Sequence, residues 1–365
     1  MTETPATLIL SDGTVFTGEA FGAIGETFGN AVFDTGMGAY QEMLTDPAHH
    51  GHIVVATAPQ TGNTGWNDED AGNPRGLVWA AGYVVRDPSP RPSNWRSQRS
   101  LDEVLTAQGV VGIKGIDTRA LTSHLRRGGI MRAAISSLPT TPAELLAKLK
   151  ASTGPVDAVA DVTTPAPYTV DAQGPSHHTI VALDYGLTTG VTNEMAARGV
   201  TVKVVPASAQ LADVTAFKPD GVLIAGGPGD PAAVDTTLTK QLLDAGVPIF
   251  GIGLGAQVLA RALGLSTSAL PAGHHGVNQP VRRLADGKIA ITAHNHDYTI
   301  DAPPPGPVQV THVAVNDATI EGIALVKGGV TAAFGVSFNP AAGPHDTETL
   351  FDEFVHMMQT EKTHA

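Results

Sequence analysis

Pro248-Ile-Phe-Gly-Ile-Gly-Leu-Gly-Ala-Gln-Val-Leu-Ala-Arg-Ala-Leu-Gly264 is the stretch from which the fold can be read. Val247 to Ile252 is a short apolar run entered through a proline, the pattern of a buried strand. Gln257 to Leu263 carries helix formers with apolar residues at helical spacing. Gly253-Leu254-Gly255 lies between them. Strand, tight glycine turn and helix make a nucleophile elbow, which lifts one side chain above a sheet edge beside backbone N–H donors. The tip calls for Cys or Ser, but Gly253 has no side chain. Elbow tips occupy strained backbone, and glycine relieves that strain.

Around this stretch, strands and helices alternate. Thr179–Asp184, Val200–Val205 and Gly221–Ala225 read as strands, and Thr189–Arg198 and Ala233–Ala245 as helices. The last of those strands ends in Gly226-Gly-Pro-Gly-Asp-Pro231. Such alternation predicts a flavodoxin-like, mostly parallel α/β sheet over residues 179–365. Residues 161–178 are Pro-rich and weakly patterned, as a linker is. Residues 1–160 read as a mainly β domain. Thr7–Leu10, Thr14–Phe16, Ala31–Phe33, His52–Thr57 and Gly76–Arg86 are its strands. Ser100 and Glu103 form a capping box at the start of a helix.

The 365 residues suffice for two domains with cores of their own. A net charge of −13 argues against nucleic acid or an anionic membrane as main partner. No stretch of 18 apolar residues suggests a membrane span. The opening MTETPATLILSDG lacks the basic n-region of a signal peptide, so the cytoplasm is the expected compartment. The absence of cysteine excludes disulfides, thiolate metal sites and a thiol nucleophile. His274 and His275 are adjacent, and adjacent residues of an extended chain face opposite ways, so no metal is assigned to them.

Gly251-Ile-Gly-Leu-Gly-Ala-Gln257 resembles the GICLGHQ motif of class I (triad) glutamine amidotransferases with the cysteine missing. Thr35-Gly-Met-Gly-Ala-Tyr-Gln-Glu-Met-Leu-Thr-Asp-Pro47, Gly62-Asn-Thr-Gly65, Ser93-Asn-Trp-Arg-Ser97 and Gly115-Ile-Asp-Thr-Arg-Ala-Leu-Thr122 are similar to segments of the carbamoyl phosphate synthetase small subunit, in the same order. Gly273-His-His-Gly-Val-Asn-Gln-Pro280 resembles that family's GHHGxNHP segment. The resemblance spans nearly the whole chain. It implies a small-subunit N-terminal domain followed by a glutaminase domain that releases ammonia. It further implies docking on a large subunit, as a heterodimer or higher oligomer. Bicarbonate, ATP and Mg belong to that large subunit, with no cofactor in this chain. Its product, carbamoyl phosphate, serves arginine and pyrimidine synthesis.

A triad glutaminase needs a thiolate, a histidine to carry the proton, a carboxylate to orient it, and oxyanion donors. By the resemblance Gly253 stands at the nucleophile. In Val336-Ser-Phe-Asn-Pro-Ala-Ala-Gly-Pro-His-Asp346, Asn339 stands at the general base and Ala341 at the carboxylate, in a stretch about two residues short of the family's HPE…PGPHD pattern. Ala48 replaces a glutamine-holding serine. Thr292-Ala-His-Asn-His-Asp-Tyr298 resembles TSQNHGF, with Asp297 replacing a glycine that lies against the ligand. Gly227, Gly229, Leu254, Gln257, Asn295 and Tyr298 complete the vestigial glutamine site. The expectation is a non-catalytic small-subunit-like partner. Five changed positions and a shortened loop argue against a single inactivating change. Hydrolysis through a relocated nucleophile, and recruitment as a binding module, are the alternatives.

Overall fold

The structure, a computed structural model, describes residues 4–364, so the first three residues of the N-terminal reading lie outside it. The chain forms two compact units. One runs to Ala158 and includes Pro271–Gly276; the other holds Val159–Leu270 and continues from Val277. The Pro271–Gly276 excursion has no sequence signature. A backbone hydrogen bond, Ile130 N–H to the Pro271 carbonyl at 2.9 Å, ties it to the first unit.

In the first unit, Pro5–Leu10, Val15–Gly22, Val111–Lys114, Gly82–Val84, His52–Ala56, Glu26–Asp34 and Met131–Ser136 close into a barrel in that order. Pro5–Leu10 pairs antiparallel with both Val15–Gly22 and Met131–Ser136, which completes the ring. Side chains alternate along each strand. Leu8, Leu10, Ile53, Val55, Ile113 and Ile135 fill one cluster, while their neighbours Ile9 and Val54 join others. Val54 packs with Leu101 and Leu105 of the helix Leu101–Ala107. That helix starts at the expected capping box: Ser100 Oγ accepts from Glu103 N–H at 3.2 Å, and Glu103 Oε2 accepts from Ser100 N–H at 2.7 Å.

One strand is shorter than its sequence suggests. Of Gly76–Arg86 only Gly82–Val84 joins the barrel. The preceding backbone is bonded elsewhere: Asn73 Nδ2 donates to the Leu77 carbonyl at 2.8 Å and Trp79 N–H to the Leu44 carbonyl at 2.9 Å.

The second unit is a sheet in the order Tyr168–Val170, Val200–Pro206, His178–Asp184, Gly221–Ile224, Ile249–Ile252, Val330–Val336, Ile320–Lys327, Ile289–Ile300, Thr267–Arg283, Val308–Ala314. Val200–Pro206 through Val330–Val336 pair parallel in sequence of that order. The remaining pairings shown are antiparallel. Val308–Ala314 also pairs back onto Ile320–Lys327. Parallel strands are buried on both faces, and the two faces take alternate residues. Ile180, Ala182, Leu223, Phe250 and Phe334 pack with Phe351, Phe354 and Met358 of the helix Thr349–His364. Val181, Leu183, Val222, Ile224 and Ile249 pack with Leu242, Leu254, Val258 and Leu259 on the other side. Each such large apolar side chain contributes about 1.5–3 kcal/mol by leaving water.

Two expectations change here. The segment 161–178 is not bare linker. Ala158–Val162 is helical, and Tyr168–Val170 pairs antiparallel with Val200–Pro206. The helix expected from Ala233 begins at Thr237. Asp230 Oδ1 accepts from Ala232 N–H at 2.7 Å and Asp235 Oδ1 from Thr237 N–H at 2.9 Å, and these side chains divert the backbone into turns.

Candidate functional site

The strand-turn-helix order of the elbow forms, but the turn shrinks to Gly253 and the helix starts three residues before Gln257. Ile249–Ile252 is a strand, Gly253 is the N-cap, and Leu254–Ala262 is a helix. Gly253 has φ 55° and ψ −121°, a region that L side chains rarely adopt. Its N–H donates to the Val336 carbonyl at 2.8 Å, and its carbonyl accepts from Ala256 N–H at 3.0 Å. The tip therefore holds an elbow shape that would strain any other residue, without the side chain such elbows exist to display.

Close backbone approach shapes the elements around the elbow. A Cβ at Gly255 would lie 2.0 Å from the Ile224 carbonyl oxygen, and one at Gly227 would lie 1.8 Å from that of Tyr185. Gly335 would meet Ala256 Cβ at 2.8 Å. Gly229 has φ +97°. Glycine at each of these positions answers a steric or conformational demand. Gly253 differs: a Cβ there would meet nothing nearer than Gly226 Cα at 3.3 Å, with the Ser337 carbonyl oxygen at 3.9 Å. The contact at the tip is tight but not prohibitive, and the positive φ is the further obstacle to a side chain there.

The segment after Val330–Val336 brings Asn339 and Ala341 back across this end of the sheet. Asn339 N–H donates to the Ala293 carbonyl at 2.9 Å. Its Oδ1 accepts from Ala341 N–H at 3.0 Å, and its Nδ2 donates to Thr188 Oγ1 at 3.4 Å. Asn339 is thus a loop anchor, with no titratable nitrogen. Ala341 is half-buried and packs on the apolar core. His345, the later histidine of the motif, is exposed and pairs with Glu348 through Nδ1 at 2.5 Å.

Gln257 is 2% exposed, and its Nε2 donates to the Tyr298 carbonyl at 2.7 Å. The side chain expected to touch ligand is a tie between the elbow helix and the strand Ile289–Ile300. Leu254 is buried in the apolar layer with Ile224 and Val258. Asn295 and Asp297 are half-buried on Ile289–Ile300. Burial, followed by the Asp230 and Asp297 carboxylates, pushes the Tyr298 phenol up, and it stays neutral at physiological pH. Ala48 belongs to the first unit, in the turn Pro47–His49, where its N–H donates to Asp46 Oδ1 at 3.0 Å.

His275 packs in the first unit against the rings of His49 and His52, with centroids 5.8 and 5.6 Å away. Sequence reading missed a different set in the second unit: His294, His296 and Glu321. Two histidines at i and i+2 of a strand share a face, and that spacing was the available signal.

The comparisons with known proteins agree with this geometry. Residues 8–135 match the family model "Carbamoyl-phosphate synthase small chain, CPSase domain", and residues 181–357 match "Glutamine amidotransferase class-I". The carbamoyl phosphate synthase small chain of Streptomyces coelicolor is 49% identical over 374 residues, covering 98% of this chain and 97% of that protein. That of Mycobacterium tuberculosis strain H37Rv is 48% identical, with 98% and 99% covered. That of Corynebacterium diphtheriae is 44% identical, with 98% of each covered. A solved putative GMP synthase subunit from Thermoplasma acidophilum is similar at 18% identity and a TM-score of 0.45, covering 51% of this chain and 97% of that one. The assignment does not rest on that last likeness. With an elbow, a preceding barrel unit and relatives nearly half identical end to end, this chain belongs to the carbamoyl phosphate synthase small-chain family.

Proposed function

We propose that this chain is a small-chain partner without glutaminase chemistry of its own. In this reading it docks on a carbamoyl phosphate synthetase large subunit in the cytoplasm and supports or regulates synthesis from free ammonia. The observation that carries the reading is the tip of the elbow: Gly253 keeps the positive-φ elbow backbone and has no nucleophile, in a chain with no cysteine at all. Asn339 and Ala341 offer neither a proton carrier nor an orienting carboxylate at the positions that match those roles. ATP and Mg remain with the large subunit, and no cofactor is assigned to this chain.

Docking is supported by the first unit. Two of the segments that resemble the small subunit each present a large apolar side chain to solvent: Met37 is 83% exposed and Trp95 is 91% exposed. An isolated Trp at that exposure suits an anchor for a partner surface.

The test mixes the chain with its cognate large subunit, bicarbonate and ATP, and compares glutamine with ammonium as nitrogen source. Product from ammonium alone is expected. Product from glutamine would show a relocated nucleophile. Failure to co-purify with the large subunit would favour recruitment as a binding module.

A further inference from the structure

In the first unit the chain leaves three adjacent parallel strands on one side of the barrel. His52–Ala56 pairs parallel with Gly82–Val84, and Gly82–Val84 with Val111–Lys114. Arg86 follows the second of these strands, and its carbonyl accepts from Gly115 N–H at 2.9 Å just beyond the third. The helix Thr118–Gly128 starts there, capped by Asp117, whose Oδ1 accepts from Ala120 N–H at 3.0 Å. Thr118, Thr122 and Arg126 follow one another at i, i+4 and i+8 on that helix. Arg119 and Ser123 stand beside them at the same spacing, so all five share one side. With Arg86 they line a cleft of about 490 Å³, within the roughly 300–1,000 Å³ of small-molecule sites.

The cleft is rich in hydrogen-bond donors. Arg86, Arg119 and Arg126 are exposed, and among the described residues none of their side chains has a hydrogen bond or an ion pair. Arg96, Arg99, Arg198 and Arg283, by contrast, each pair with a carboxylate. Thr118 is 2% exposed and Thr122 Oγ1 is shielded from solvent, and neither hydroxyl has a hydrogen-bond partner among the described residues. A hydroxyl buried without a partner costs free energy that a ligand oxygen would return. Among the described residues no aromatic ring and no carboxylate lines the cleft. The chain as a whole carries −13, so its overall field repels anions and the attraction is local to this cleft.

We infer that the cleft is a binding site for the phosphate group of a small phosphorylated molecule. A guanidinium fork matches phosphate oxygens two at a time. Three forks and two buried hydroxyls exceed what the two oxygens of one carboxylate can accept. With no aromatic wall there is nothing to stack a nucleobase, so the part recognised is the phosphate itself. Thr118, Arg119 and Thr122 fall in the segment Gly115–Thr122, for which the elbow chemistry has no use. Every residue involved belongs to the first unit, so the site stands whether or not the glutaminase reading does.

The test is equilibrium dialysis of the full-length chain against radiolabelled inorganic pyrophosphate, in phosphate-free buffer at fixed ionic strength. One pyrophosphate per chain is expected. Arg119→Gln and Arg126→Gln should each weaken binding about 10–100-fold, the range for losing a charge-assisted hydrogen bond. Thr118→Val keeps shape and charge, and should weaken binding about 3–10-fold without lowering Tm. Arg127→Gln removes a charge from the same helix outside the cleft and should leave binding unchanged. Citrate in tenfold excess should displace little of the pyrophosphate. Wild type retaining no pyrophosphate above buffer would overturn the site. Loss of co-purification with the large subunit in Arg119→Gln, on top of that result, would make the cleft a docking surface instead. Equal loss in Arg127→Gln, full binding by Thr118→Val, or full displacement by citrate would each overturn the phosphate assignment.

Discussion

The packed glycines around the elbow and the glycine at its tip respond differently to the same physics. At Gly227, Gly255 and Gly335 a side chain would strike a neighbour at 1.8, 2.0 and 2.8 Å, and glycine is what the packing requires. At Gly253 a Cβ would meet its nearest atom, Gly226 Cα, at 3.3 Å, a milder contact, and glycine also relieves an unfavourable φ of 55°. The first group holds the helix against the sheet. The second position is where chemistry would be displayed. Residues that the fold needs are therefore distinguishable from residues that a reaction would need, even where both are glycine.

The contrast can be broken most forcefully at the packed positions. Gly255→Ala should cost about 4 kcal/mol or more, because backbone rather than a flexible side chain blocks the new methyl. Urea denaturation, or failure to recover soluble protein, reads the effect. A loss under 1 kcal/mol would show that the helix shifts freely.

Tyr185, whose carbonyl blocks Gly227, sharpens the comparison through pH. Burial, then the Asp235 charge, pushes its phenol up to about 12 from 10. Between those values the unfolded chain has lost the proton and the native chain still holds it. Stability present below pH 10 is thus lost as pH rises toward 12, by about 2–3 kcal/mol. Tyr185→Phe should lack that slope when unfolding is followed at pH 9, 10 and 11. A parallel decline in both proteins would refute the assignment.

At the tip, Gly253→Cys should cost about 1–3 kcal/mol from its positive φ and the 3.3 Å approach to Gly226 Cα, less than Gly255→Ala. It should release no ammonia from glutamine, since Asn339 cannot take the thiol proton. Ammonia above the wild-type background would overturn the proposed loss of function. Smallest is the barrel unit's capping box. Ser100→Ala should remove about 1 kcal/mol by thermal melt, leaving Glu103 N–H without its acceptor.

The elbow was legible because its signals are local. A proline-led apolar run, three glycine-turn residues and a helical pattern occupy 17 consecutive positions; strand and helix both form, although the helix begins at Leu254 and takes in two residues read as turn. The capping box at Ser100 was legible for the same reason. Less could be read where distant backbone groups decide. Gly76–Arg86 has strand composition, but Asn73 and Leu44 take the hydrogen bonds its first half would have given a sheet. The fate of Gln257 was also hidden, because its partner is a carbonyl 41 residues away. The metal question was posed at His274 and His275, where adjacency spoke against it.

The closed barrel leaves no strand end unpaired, and the second unit's sheet is nearly as well guarded. At one end Val308–Ala314 folds back onto Ile320–Lys327. Among the described residues, that leaves Tyr168–Val170 as the open edge, three residues long and preceded by Pro165 and Pro167. So short a border, next to residues that lack an N–H, is a poor template for another chain's strand. The segment that looked like a spacer between domains thus acts as a guard against aggregation, a duty that persists whether or not any substrate is ever turned over.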